Sequence, residues 1–346
     1  MRRRELLLTS LTVALAAGRL TWAAEELPAG ESVQIIELSH ALQRSKPAVI
    51  TAVAIAPGAK TIATAGDDHV VRLWDIASGQ MTKALKGHKD WVRSLTFSPD
   101  GLTLVSAGDD RRSIFWNVAT GKATPAQRIH DQVVYSLTYS PNGKQLAAVG
   151  FEKTIRIYDA AARSVVRTLD GPSSDLRAAV YSPDGSQIAV GGRGGKIEII
   201  DAATGQSQSS INTQQKRIRA LSFTGDGKRL VSGGEARFLE VWDVDSGAEL
   251  GRIECREAKV LSSIVCGDEQ LATGGSDNVI RIWDLTTFQQ KSELVGHTGS
   301  VAALAFDAGT ATLVSGGFDT TVRIWKLNTI DYKPETAQPA GRRAVR

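Results

Sequence analysis

One interval constrains this 346-residue chain more than any other feature. A large apolar residue followed by a polar one returns as Trp74-Asp75, Trp116-Asn117, Tyr158-Asp159, Ile200-Asp201, Trp242-Asp243, Trp283-Asp284 and Trp325-Lys326, at steps of 42, 42, 42, 42, 41 and 42 residues. Seven copies of one unit therefore fill nearly the whole chain, each too small to bury a core alone, so the copies must pack on their neighbours.

Turn sequences align the copies. Ser98-Pro99-Asp100-Gly101, Ser140-Pro141-Asn142-Gly143, Ser182-Pro183-Asp184-Gly185 and Thr224-Gly225-Asp226-Gly227 each follow a β-pattern run such as Trp91 to Phe97 or Arg217 to Phe223. Second strands such as Leu104-Val105-Ser106 and third strands such as Val279 to Trp283 come after them, and no helical period intervenes. The pattern predicts an all-β chain, a seven-bladed β-propeller with four antiparallel strands per blade. The last copy stops after its third strand. The segment Gly30 to Leu38 has the form of the outer strands Gly79 to Leu85 and Gly205 to Ile211, so it is expected to close the last blade and remove a bare sheet edge.

On these motifs the chain resembles WD-repeat proteins, with a propeller similar to that of G-protein beta subunits, over about residues 31–327. The resemblance implies a non-enzymatic protein–protein interaction scaffold that docks a partner on the narrow face. It also implies that His88, Ser106, Asp110 and Trp116, and again His297, Ser315, Asp319 and Trp325, are buried structural tetrads. Ser, His and Asp together also suggest an acyl-transfer triad, but their recurrence at identical blade positions favours the structural reading. Thr64, Asp68 and Trp74 lack the His, as do Thr273, Asp277 and Trp283; His130 keeps its distance to Glu152, but Ala148 replaces the hydroxyl. Blades four and five, with Val190, Gly194, Ile200 and Ala236, are expected to rely on apolar packing.

Position by position, the resemblance places partner-binding residues at Trp91, Arg93, Tyr135, Phe151, Arg177, Arg193, Arg219 and Phe318. Exposed aromatics beside arginines are the usual material of interface hot spots and would suit a protein or peptide with apolar and acidic side chains. The alternative is an exported propeller enzyme acting on glycans or peptides through carboxylates such as Asp67 and Asp109. Gly191 to Gly195 lacks the Lys-Ser/Thr ending and helix of a phosphate loop, and the five histidines have no metal-site spacing, so no cofactor or metal is expected.

The ends read differently. Arg2-Arg3-Arg4, a 12-residue apolar stretch from Leu6 to Ala17 and Ala23-Ala24 form an export-signal pattern too short to span a bilayer. Arg3-Arg4-Glu5-Leu6-Leu7 leaves ordinary and twin-arginine export both open. The expected organisation is a signal at 1–24, a segment with the ring-closing strand at 25–47, the propeller at 48–327 and a disordered tail at 328–346. The expected location is periplasmic or otherwise extracytoplasmic in a bacterium, with membrane contact only through the uncleaved signal. Of the net charge of +4, residues 1–23 carry four arginines against one glutamate, and residues 328–346 four Lys/Arg against two acids, which leaves the repeats near −1. A body of that charge is not expected to bind nucleic acid. Cys255 and Cys266 lie at opposite ends of adjacent strands and are expected to be separate thiols.

Overall fold

The computed structural model describes residues 34–37, 48–124, 130–255, 258–267 and 269–327. The export signal and the tail read from the sequence lie outside these residues. Seven antiparallel sheets follow one another along the chain. Blade one runs Ile50–Ile55, Thr61–Gly66, Val70–Asp75 and Met81–Lys86, from its inner strand to its outer one. The later inner strands are Val92–Phe97, Val134–Tyr139, Leu176–Tyr181, Ile218–Phe223, Val260–Cys266 and Val301–Asp307.

Among the described residues there is no single central core. Apolar clusters sit between adjacent blades: Trp116 packs with Val71 and Leu73 of the blade before it, and Trp74 packs with Ile324 and Val314 of blade seven. Second strands are covered on both faces and are buried almost throughout, as in Leu104 to Gly108, so they read as continuous apolar and small residues rather than as an alternation. Outer strands have a free edge, and Ser164, Val165 and Val166 are exposed.

The ring closes as the sequence predicts. Gln34–Glu37 pairs antiparallel with the third strand of blade seven, Thr321–Lys326, with Ile36 opposite Val322. Ile36 is 4% exposed and joins the cluster of Trp74. Six sheets have four strands; in blade two the described residues form three, and Ala123 is bridged to Trp116 where blade one begins its outer strand at Met81. The first hairpin turns follow their residues: Gly101 takes a φ of 70°, and Asp100 accepts bonds from the Ser98 hydroxyl and the Leu102 N–H. Cys255 and Cys266 are buried free thiols, and burial pushes each up to about 12.

Candidate docking face

Every inner strand carries a β-bulge at the same place. In blade two Val92 faces Gly108 and Ser94 faces Ala107, which leaves Arg93 without a partner residue. The same irregularity leaves out Thr51, Tyr135, Arg177, Arg219, Leu261 and Ala302. A bulge bends its strand and re-aims one side chain. The seven bulged residues thus form a matched set, one per blade.

Beside each bulge, the carbonyl of the residue just before the strand accepts the N–H of the residue just after the second strand. Asp109 donates to Trp91, Phe151 to Val133 and Arg193 to Asp175 at 2.9 Å each, Glu235 to Arg217 at 3.2 Å, and Phe318 to Ser300 at 2.9 Å. Glycine is required where these segments cross, because a Cβ on Gly108 would lie 1.9 Å from the Trp91 oxygen. These hydrogen bonds put Trp91 beside Asp109 and Arg217 beside Glu235, each pair eighteen residues apart in sequence.

The side chains on this face are tied in ion pairs and ring contacts. Arg93 grips Asp109 with two bonds, Nε at 2.9 Å and Nη2 at 2.6 Å, and lies 4.6 Å from the Trp91 ring centre. The hydrogen bond to Asp109 raises the Arg93 pKa above its ordinary value. Arg177 stacks on Tyr135 of the preceding blade at 3.6 Å and pairs with Asp175, which is 2% exposed. Arg217 spans Asp175, at 3.6 Å, and Glu235, at 2.8 Å; Arg219 reaches Glu235 at 3.3 Å. Burial acts to raise the Glu235 pKa, but the Arg219 bond and both arginine charges hold it below the usual range.

The structure thus brings together Trp91 with Arg93, Tyr135 with Arg177, and Arg219 with Glu235. Phe151 and Phe318 occupy equivalent turn positions, 49% and 51% exposed, and the Arg193 side chain is exposed while its backbone bridges Arg217. Asp109 is committed to Arg93, and Asp67 accepts the Val49 N–H at 2.8 Å. Sequence reasoning passed over Thr51, Leu261 and Ala302 among the bulged set, because bulges in this chain hold Thr, Arg, Tyr, Leu and Ala alike. It also passed over Lys216 in the loop that enters blade five.

Beneath the turns of blades two and seven lie the His-centred networks. His88 joins Asp110 at 2.9 Å and Ser106 at 2.7 Å, and the Trp116 indole donates to the same Ser106 oxygen at 2.8 Å. His297 joins Asp319 at 2.8 Å and Ser315 at 2.7 Å, with Trp325 donating at 2.9 Å. Both serines have 0% exposure, so neither hydroxyl can meet a substrate. Burial acts to raise the Asp110 and Asp319 pKa values, but the His bonds and the N–H groups of Lys89 and Thr298 outweigh it and hold both carboxyls well down.

The other blades solve the same local problem in different ways. Where His is absent in blades one and six, an arginine two residues before the Trp takes the acid: Arg72 binds Asp68, and Arg281 binds Asp277 at 2.7 Å. In blade three Arg156 takes Glu152, while His130 turns to the Tyr158 hydroxyl at 3.2 Å and to Ser113 of blade two at 2.9 Å. Burial, with a contribution from Arg156, lowers the His130 pKa to about 3. Blade four is apolar, as its sequence indicates. Blade five is not, and this corrects the expectation: Trp242 donates to Ser232 at 2.9 Å, Gln215 holds the N–H of Ala236 and the carbonyl of Phe238, and buried Glu240 accepts the Gln214 N–H at 2.9 Å. Its Gln-rich loop supplies the bonds that His and Asp supply elsewhere.

Ring, repeat and tetrads together define a WD-repeat propeller. The chain belongs to the family described as the IFT122 first beta-propeller, whose model matches residues 49–277. Residues 288–326 match the WD domain, G-beta repeat. Among known proteins it is similar to Mitochondrial division protein 1 of Emericella nidulans, at 44% identity over 50 residues. It is similar also to Nuclear distribution protein PAC1-2 of Postia placenta, at 50% identity over 42 residues. These stretches cover 14% and 12% of this chain and only 8% and 10% of those relatives.

Proposed function

We propose that this chain is a non-enzymatic, exported scaffold that docks a partner protein or peptide on the face formed by the bulged residues. One observation carries the reading: seven equivalent bulges bring Trp91, Arg93, Tyr135, Arg177 and Arg219 to one rim, where aromatic rings and arginines stack while remaining partly exposed. Such side chains are held in place before binding, so little ordering entropy remains to oppose association. Arginine and aromatic anchors are also the residue types that dominate interface energetics. The partner this rim suits has acidic and apolar side chains. Export rests on the basic start, the short apolar run and the Ala23-Ala24 step; a mature N-terminus at Glu25, read by mass spectrometry of the envelope fraction, tests it.

Docking is tested by capturing partners from envelope extract and measuring their affinity for variants. Trp91→Ala with Arg219→Ala is expected to weaken capture by at least ~2 kcal/mol, the scale of a hot spot, with little change in melting temperature. Lys144→Ala with Lys228→Ala, in turns on the opposite face, should leave it intact. The reverse pattern would mean that the partner uses the other surface.

A further inference from the structure

The rim is not uniform, and one concave part of it lies where blade five meets blade six. There the loop entering blade five, the bulged Arg219, the Glu235-Ala236 turn and the first residues of blade six enclose a cleft of about 650 Å³. Among the described lining residues, Lys216, Arg219 and Lys259 face a single acid, Glu235, which already accepts bonds from Arg217 and Arg219. Among the described residues no acid pairs with the ammonium of Lys216 or Lys259, and both side chains are exposed.

The backbones that deliver these two lysines are fixed. The Lys216 carbonyl accepts the Gly194 N–H at 2.9 Å. The Lys259 N–H donates to the Ser276 hydroxyl at 3.1 Å, and its carbonyl accepts the Ser276 N–H at 3.0 Å. The cleft is therefore a preformed concave site with surplus positive charge, and low-dielectric walls focus such a field. The rest of its lining is Gln214 and Gly234 together with an apolar side from Ala236, Val260 and the bulged Leu261.

Resting on the reading that this face docks a partner protein, we infer that the cleft between blades five and six takes a carboxylate side chain of that partner with an aliphatic neighbour beside it. The carboxylate lies between Lys216, Lys259 and Arg219 and supplies the charge that Glu235 alone does not. The aliphatic group lies on Leu261 and Ala236, which are half-buried. Charge complementarity decides the sign of the ligand. The apolar lining decides that the anion belongs to a peptide rather than to a free inorganic ion, because an ion would leave that surface uncovered.

The test uses the purified full chain and immobilised decapeptides whose central pair is Glu-Leu, Gln-Leu or Glu-Ser. Glu-Leu peptides are expected to bind about tenfold more tightly than either control, with the advantage shrinking at about 0.5 M salt. Lys216→Glu with Lys259→Glu should abolish that advantage, while Lys144→Glu with Lys228→Glu on the opposite face should preserve it; thermal melts confirm that each variant is folded. Equal binding of Glu-Leu and Gln-Leu peptides, no binding of Glu-Leu at millimolar concentration, or a preference that survives the double reversal would each overturn the inference. The docking reading is separable: peptide binding that fails with Trp91→Ala but ignores the cleft lysines leaves the face standing and removes only the cleft. Binding that ignores both removes both.

Discussion

Blades two and seven hold their turns from within, whereas blade four holds its turn from outside and blade five adds outside fastening to a buried glutamine. In the first pair a buried His links Asp, Ser and Trp inside one blade. In the second pair the equivalent space is apolar in blade four and glutamine-filled in blade five, and the turns are fastened across the blade boundary. The Arg193 and Arg217 backbones bridge, Gly194 donates to Lys216 at 2.9 Å, and Arg217 spans Asp175 and Glu235. All four blades nevertheless have the same bulge and the same register. The tetrad is therefore one way to satisfy the polar groups under a turn, and the bulge is the common feature. Moving the fastening outward also leaves charge on the rim, where a partner can use it.

The largest expected effect tests whether the tetrad of blade seven suffices to hold that blade. Deleting residues 25–39 removes the paired strand and the burial of Ile36, a loss of roughly 3–5 kcal/mol from apolar area and ladder hydrogen bonds, and bares an edge that promotes aggregation. A monomeric truncated protein with unchanged melting would show that the ring needs no closing strand. Next comes the inner fastening itself. His88→Ala should leave the Asp110 and Ser106 groups unsatisfied in the interior and cost roughly 1–3 kcal/mol, read by denaturant unfolding, while partner capture survives in the folded fraction.

A comparable effect is expected from pH at blade three, whose His130 is neither fully inside nor outside the pattern. The unfolded chain takes up the His130 proton near 6.5 and the folded chain only near about 3, so stability is fully present above that window and falls with acid across it. From about pH 7 to about pH 5 this one group should remove about 2 kcal/mol, and His130→Gln should flatten that part of the profile relative to wild type. An identical slope in both proteins would mean that His130 takes up its proton equally readily in the folded and unfolded chain. The smallest effect belongs to the outer fastening: Arg219→Ala, at an exposed pair, should change stability by less than about 0.5 kcal/mol. If it matches His88→Ala, the distinction between inner and outer fastening fails.

Much of this architecture is legible in the sequence, because the 42-residue interval and the Ser-Pro-Asp-Gly turns fix blade number and hairpin position, and the outer-strand pattern of Gly30 to Leu38 points to closure. What lies below that level depends on contacts between distant residues. The arginines of the third strands, such as Arg72 and Arg281, alternate with buried Val, Ile and Leu and look like solvent-facing positions; only the fold shows that they turn inward to Asp68 and Asp277. Glu240 is harder still, since a fully buried glutamate is unfavourable in isolation and becomes tolerable only where the Gln214 N–H meets it. At the rim, the resemblance gave positions but not company. That Arg177 stacks on Tyr135 of another blade, or that Lys216 and Lys259 share one cleft, follows from how neighbouring blades meet.

The ring-closing strand has a consequence in time rather than in space. Glu37 pairs with Thr321, so this strand, made before all seven blades, must wait unpaired until the third strand of blade seven follows. Loop closure over so long a separation is slow compared with the local hairpins, which form as each blade appears. The finished circle is therefore a proof of full length: a chain broken off before Trp325 leaves its first strand without a partner and its first blade with an open flank, and it stays recognisable as incomplete to any protease or chaperone that surveys unfinished protein.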